Sequence, residues 1–248
     1  MENNIMAVVL AAGKGTRLRT EGIDLPKVMR TACGKPLLHY VLEAISFVGK
    51  ENTVIVVGYR KEKVTAAFDG YRFAEQKEQL GTGHAVMSAR EELSGFDGDV
   101  LVCYGDMPLL RRETYEALCA VHRNEKNACT LLSGTTDEDL PYGRVLRDAS
   151  GAFAGVVEDR DCTPEQKKIN ELNIGVYVFS TPKLLKALER IGNDNAQGEY
   201  YLTDVPAVLL NDGEKIGVCK RELGRELIGV NTVEQLETVE EELSKERR

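Results

Sequence analysis

An unbroken apolar run, Ile5 to Leu10, opens the patterned part of the chain, and a run with no polar face reads as a strand covered on both sides. Helix-like and strand-like segments then alternate. Pro36–Val48 reads as a helix with proline in its first turn and Leu38, Val41, Leu42 and Ile45 on one face. Thr53–Val57 is a short β-branched strand, and Lys61–Phe68 and Thr82–Glu92 are helices. Val100–Tyr104 is an apolar strand that stops at Gly105-Asp106. Arg111–His122 carries Tyr115, Leu118, Cys119 and His122 at helical spacing, and Ala128–Ser133 is strand again. Repeated β-α-β order with apolar strands predicts an α/β fold built on a largely parallel, doubly covered sheet.

From Tyr142 to Phe179 the rhythm changes. Short strand candidates, Arg144–Arg147, Phe153–Glu158 and Leu172–Phe179, come with turns such as Asp148 to Gly151. This predicts a small antiparallel excursion over one edge of the sheet. Helices at Pro182–Arg190 and Tyr201–Leu210 and a strand at Glu214–Cys219 return to the α/β pattern. Thr232–Glu246 is helical by Val233, Leu236, Val239 and Leu243, with Asn231 as its expected N-cap and six glutamates on a solvated outer face.

Composition narrows the function. The 248 residues carry a net charge of −8, which argues against nucleic acid or an anionic membrane surface as partner. Positive charge is concentrated instead. Lys14, Arg17, Arg19, Lys27, Arg30 and Lys35 lie in one stretch with only Glu21 and Asp24 among them, which suits a small anionic ligand. The six cysteines are scattered without C-x-x-C spacing, and Met1-Glu2-Asn3-Asn4 lacks a cationic leader. Both point to a reducing, cytoplasmic setting. No apolar stretch approaches the ~20 residues of a membrane span.

The candidate chemistry lies at two strand ends. After the first strand comes Leu10-Ala11-Ala12-Gly13-Lys14-Gly15-Thr16-Arg17, a loop of glycine, cation and hydroxyl that suits a polyphosphate. It is not a Walker A loop, because one residue separates Gly13 from Gly15, and it is not the dinucleotide fingerprint, because Leu18 stands where a third small residue belongs. Asp106 ends the Val100–Tyr104 strand. In an open parallel sheet these two loops share one rim, and a phosphate loop facing a carboxylate is a metal–nucleotide arrangement. The three histidines, His39, His84 and His122, form no catalytic or metal motif and read as structural or exposed, His84 in the first turn of its helix.

The ordered series Leu10–Arg17, Leu25-Pro26-Lys27, Gln76, Gln79–Ala85 and Tyr104–Leu109 continues with Tyr142-Gly143-Arg144, Val157-Glu158-Asp159, Glu171-Leu172-Asn173, Asn195–Asp204 and Gly229-Val230-Asn231. Over nearly the whole chain this resembles the sugar-nucleotide pyrophosphorylases. It is most similar to the uridylyltransferase domain of the bacterial bifunctional N-acetylglucosamine-1-phosphate uridylyltransferase/glucosamine-1-phosphate acetyltransferases. The resemblance implies a Rossmann-like nucleotidyltransferase fold over residues 1–230, a sugar-binding role for the antiparallel excursion, and a C-terminal helix over 231–248. The left-handed β-helix acetyltransferase domain of those enzymes is not expected.

The activity implied is Mg²⁺-dependent transfer of a uridylyl group from UTP to a hexosamine 1-phosphate, with N-acetylglucosamine 1-phosphate the expected acceptor. Arg17 and Lys27 would be the catalytic cations, Arg17 on the β and γ phosphates and Lys27 on the reacting phosphate. Leu10, Ala11, Ala12 and Gly13 would hold base and ribose through backbone groups, and Gln76 with Gly81 would read uracil. Thr82 would help at the nucleotide–sugar junction, and Tyr104 would be a further substrate-binding residue. Asp106 and Asn231 would bind the metal, and Gly143, Glu158 and Asn173 the sugar. The same pattern is compatible with another sugar 1-phosphate or nucleotide, or with a non-catalytic nucleotide-sugar-binding module. Oligomeric state is not addressed by it.

Overall fold

A computed structural model describes residues 4–15, 18, 24–136, 138 and 140–246. Strands β1 (Ile5–Leu10), β2 (Thr31–Ala32) and β3 (Lys35–Pro36) lead into helix α1 (Leu37–Ala44), followed by β4 (Thr53–Val57), α2 (Lys61–Ala67) and β5 (Arg72–Glu75). Next come α3 (Thr82–Ser88), α4 (Arg90–Leu93), β6 (Asp99–Tyr104), α5 (Arg112–Glu125), β7 (Cys129–Thr135), β8 (Gly143–Arg147) and β9 (Phe153–Val157). The chain closes with β10 (Glu171–Ser180), α6 (Thr181–Leu188), α7 (Val205–Asn211), β11 (Ile216–Arg221) and α8 (Val233–Glu246).

The main sheet runs β11-β7-β10-β6-β1-β4-β5, an α/β architecture of mixed, mostly parallel strands flanked by helices. Within that order β10 alone is antiparallel to its neighbours, β6 and β7. Period-two geometry explains the apolar run of β1. Ile5, Ala7 and Val9 enter one core with α1 residues Leu38, Val41 and Leu42, while Met6, Val8 and Leu10 enter a second core with Ala85 and Val86 of α3. Helix α8 packs Leu236, Val239 and Leu243 onto Leu18, Ala32, Leu37, Leu109 and Val230. No helix among the described residues is long and apolar enough to cross a membrane.

Several expectations are revised. The antiparallel excursion does not sit over an edge: β8 pairs with β9 and with Leu172 and Asn173 of β10, and β10 continues into the middle of the sheet. The helix expected at Pro36 begins at Leu37, and Pro36 instead ends a hairpin whose turn residues, Cys33 and Gly34, both have positive φ. The helix expected over Thr82–Glu92 is two helices, α3 and α4, joined at Ala89. Thr232, not Asn231, caps α8: its Oγ1 accepts from the Gln235 backbone N–H at 3.3 Å, and Gln235 Oε1 accepts from Thr232 N–H at 3.1 Å. Strand β5, unanticipated, is an edge strand with only Ala74 buried.

Candidate active site

Strand order places the site. β4 and β5 extend the sheet on one side of β1, and β6 returns on the other. The chain therefore diverges at the carboxyl ends of β1 and β6, where open α/β sheets form their binding crevice. Both strands are parallel, so Leu10–Gly15 and Asp106 do share one rim, joined where Gly105 N–H donates to the Leu10 carbonyl at 3.0 Å. A cleft of about 450 Å³ opens there. It is lined by every described residue given a catalytic, substrate-binding or metal role from the sequence: Leu10, Ala11, Ala12, Gly13, Lys27, Gln76, Gly81, Thr82, Tyr104, Asp106, Gly143, Glu158, Asn173 and Asn231. Arg17 lies outside the described residues.

At one end of the cleft the polar side chains converge on Lys27. Its ammonium pairs with the Asp106 carboxylate and donates to Asn231 Oδ1 at 3.0 Å, although 204 residues separate Lys27 from Asn231. The Asn231 loop is tied to the β6 loop where Val230 N–H donates to the Asp106 carbonyl at 2.9 Å. Asn231 Nδ2 donates to the Gly229 carbonyl at 3.4 Å, which leaves Oδ1 as the atom aimed at Lys27. Gly15 (φ +60°) allows the loop to cross Lys27, since a Cβ there would lie 2.6 Å from the Lys27 Cβ.

Asp106 and Asn231 have the donor chemistry to hold a hard divalent cation. One carboxylate oxygen and one amide oxygen, both hard donors, reach the same cationic centre. No cluster of three or more His, Cys, Asp or Glu side chains able to hold a metal occurs among the described residues. A site of two protein oxygens that completes its shell with phosphate oxygens and water is the usual way Mg²⁺ is bound beside nucleotides.

At the other end, Gln76 follows β5 and is buried, its N–H donating to the Val57 carbonyl at 2.8 Å and its Nε2 to the Gly81 carbonyl at 3.0 Å. Gly81 (φ +109°) presses on the backbone of Tyr200, where a Cβ would lie 2.6 Å from the carbonyl oxygen. Thr82 Oγ1 accepts from Leu202 N–H at 3.0 Å and so helps fasten α3 to the loop before α7. The Tyr104 ring lies against Gly175 (φ +77°), at a point where a Cβ would overlap it. Burial raises the Tyr104 hydroxyl pKa, and the carboxylates of Glu158 and Asp106 add to the shift, so the phenol stays protonated.

The wall formed by β8–β10 carries Gly143, Glu158 and Asn173. Burial pushes the Glu158 carboxyl above the ordinary range, against the pull of Thr203, whose hydroxyl donates to Oε1 at 2.9 Å. Asn173 Nδ2 donates to the Tyr177 hydroxyl at 2.7 Å, and the ladder register shifts between these two residues around Gly175. Gln79, Tyr142 and Glu199, which lie in the quoted motifs without an assigned role, also line the cleft, as does Gly175, which lies outside them. Gly175 was detectable as a glycine inside an otherwise unbroken strand run. His84, read from sequence as structural or exposed, is in the first turn of α3 and contacts Gln76.

The glycine loop, the Lys27 ammonium and two hard oxygen donors thus lie at the switch point of a doubly covered α/β sheet. Residues 7–204 match the MobA-like NTP transferase domain, and the chain belongs to that family. It is 42% identical over 236 residues to the bifunctional protein GlmU of Streptococcus thermophilus, an alignment covering 95% of this chain and 51% of that protein. GlmU of Caldanaerobacter subterraneus subsp. tengcongensis is 44% identical over 237 residues, 95% of this chain and 51% of its own. GlmU of Lactobacillus delbrueckii subsp. bulgaricus is 44% identical over 225 residues, 90% and 48% of the two chains. The chain thus spans about half the length of the curated relatives it matches.

Proposed function

We propose that this nucleotidyltransferase joins UTP and N-acetylglucosamine 1-phosphate into UDP-N-acetylglucosamine and pyrophosphate, with Mg²⁺ as cofactor. The observation that carries the reading is the convergence of Lys27, Asp106 and Asn231 at one end of a cleft whose other end presents Gln76 and Gly81. The acceptor phosphate is already largely dianionic near neutral pH, so it needs charge compensation more than a general base. A phosphate oxygen of the sugar attacks the α-phosphorus, the α–β bridging bond breaks, and pyrophosphate leaves in line with the entering oxygen. No covalent enzyme intermediate is required.

Each protein group has a task in that step. Lys27 neutralises charge at the reacting phosphate, and the loop from Leu10 to Gly13 offers backbone groups to the nucleoside. Arg17 is assigned to the leaving pyrophosphate. Asp106 and Asn231 hold the Mg²⁺, which supplies charge neutralisation and orientation of the phosphate oxygens. Gln76 Oε1 and the Gly81 N–H offer an acceptor and a donor, the complement of uracil N3–H and O4. Gly143, Glu158 and Asn173 face the sugar. All six cysteines are free thiols, which supports a reducing, cytoplasmic setting.

The deciding experiment is a matrix of the four nucleoside triphosphates against several sugar 1-phosphates, read by pyrophosphate release with and without Mg²⁺. The proposal expects UTP with N-acetylglucosamine 1-phosphate to give the highest kcat/KM. A higher value for another pair reassigns the substrates, and nucleotide-sugar binding without turnover refutes catalysis.

A further inference from the structure

Gln76 is held at both hydrogens of its amide. Its Nε2 lies 3.0 Å from the Gly81 carbonyl oxygen and 3.1 Å from His84 Nδ1. A carbonyl oxygen only accepts, so the amide atom facing it is the NH₂ group. The second hydrogen faces His84 Nδ1, which must therefore present a lone pair, with the proton of the neutral ring on Nε2. Gln76 Oε1 accepts no hydrogen bond from any described residue and belongs to a side chain on the cleft wall. It is the one atom of that amide left for a ligand.

We propose that His84 sets the choice of pyrimidine by locking the Gln76 amide with its oxygen toward the base. This rests on the uridylyl-transfer reading above. Uracil carries a hydrogen on N3, whereas cytosine has a lone pair there and an amino group at C4. An outward Oε1 accepts from uracil N3–H and repels the cytosine N3 lone pair. A flipped amide would present NH₂ and reverse the preference.

Two contacts oppose that flip, one from Gly81 and one from His84. Flipping would set Oε1 against the Gly81 carbonyl, and would either set it against the Nδ1 lone pair or oblige the imidazole to move its proton from Nε2 to Nδ1. Without the imidazole only the first repulsion survives, and the amide gains freedom to turn. The ring is well placed for this task. Gly83 N–H donates to the Tyr200 carbonyl at 2.7 Å, and the first turn of α3 is pressed so closely on that segment that a Cβ on Gly83 would lie 2.6 Å from Ile191 Cδ1. The Tyr200 ring stands 6.4 Å from the imidazole. His84 is thus a positioning residue that acts through Gln76.

The test compares kcat/KM for UTP and CTP, at fixed sugar 1-phosphate, in wild-type protein, His84→Ala and His84→Asn, with thermal melts to establish folding. Loss of one hydrogen bond to the amide should lower the UTP/CTP preference about fivefold in His84→Ala, through the KM for UTP more than through kcat. Asparagine can place Oδ1 near the position of Nδ1 and should restore most of the preference. If His84→Ala fails to fold, His84→Leu, nearer in volume, takes its place. A wild-type protein with no preference for UTP overturns the uridylyl reading. A wild-type preference that survives unchanged in the folded variant, or that asparagine does not restore, overturns the role of His84 alone.

Discussion

Gly15 and Lys27 are in backbone-to-side-chain contact: a Cβ on Gly15 would lie 2.6 Å from the Lys27 Cβ and 3.3 Å from its Cα. The loop after β1 therefore forms the surface against which the lysine is set. Gly15→Ala would add that clash to a φ of +60°, a conformation that costs an L-residue about 1–2 kcal/mol. Relief requires Lys27 or the loop to move, and a displacement of about 1 Å in a reacting group can cost about a hundredfold in rate. Turnover measured by pyrophosphate release should fall at least tenfold, while a thermal melt should show a folded protein destabilised by about that strain. Unchanged turnover would detach the loop from the placement of Lys27.

Asp106 both pairs with Lys27 and offers a hard oxygen beside Asn231. Asp106→Asn keeps the volume and removes the charge. The variant should lose about a hundredfold or more in turnover at fixed Mg²⁺, partly recovered at high Mg²⁺, because a neutral amide is a weaker ligand for a hard cation. The side chain is 15% exposed, so the fold should survive the change. A Mg²⁺ titration of initial rates separates the two effects. A loss that no concentration of Mg²⁺ diminishes assigns Asp106 to Lys27 rather than to the metal.

What sequence made legible follows from burial. β1, β4 and β6 are apolar on both faces because both faces are covered, so their runs mark them plainly. β5 reads Arg-Phe-Ala-Glu and has a covered residue only at Ala74, so neither an alternating nor a continuous pattern signals it. The position of β10 was hidden for another reason: an apolar strand carries no mark of which neighbours it will pair with. At the site, the motif residues come to one cleft because strand ends and their loops share a rim, while their roles are the proposal. The Gln76–His84 and Asn173–Tyr177 contacts were not legible. Each depends on a helix turn or a bulge bringing side chains into register, which residue types alone do not reveal.

Tyr177 offers a probe of the sugar side. Its hydroxyl is the partner of Asn173 Nδ2 at 2.7 Å, and it is fully buried with its ring stacked 5.3 Å from Phe179. Tyr177→Phe keeps the stack and removes the hydrogen-bond acceptor. Asn173 then loses an interaction of about 1 kcal/mol, and among the described residues its amide is held only by the longer bond that its Oδ1 accepts from Gly175 N–H at 3.4 Å. The KM for the sugar 1-phosphate should rise about fivefold and the KM for the nucleotide should stay within about twofold. Equal shifts in both constants would place Asn173 away from the sugar.

Two glutamates on the β8–β10 region should give opposite pH signatures in stability. Burial alone would raise the Glu171 carboxyl, but hydrogen bonds from Arg147 at 2.7 and 2.8 Å and from Ser133 at 2.8 Å outweigh it, and the net shift is downward. A carboxyl held below its unfolded value binds fewer protons when folded. Its contribution is present above the unfolded pKa and disappears as pH falls through the folded one. Glu158 is shifted the other way by burial, so its ionisation opposes folding as pH rises from the ordinary glutamate range through the raised value. Glu171→Gln should therefore destabilise the protein by about 2 kcal/mol at neutral pH and flatten the acid limb of the stability curve. Glu158→Gln should leave neutral stability equal or higher and remove a decline on the side above the ordinary carboxyl range. Urea midpoints of wild type and both variants, taken from pH 3 to pH 8, check the signs. Parallel curves for all three proteins would contradict both assignments.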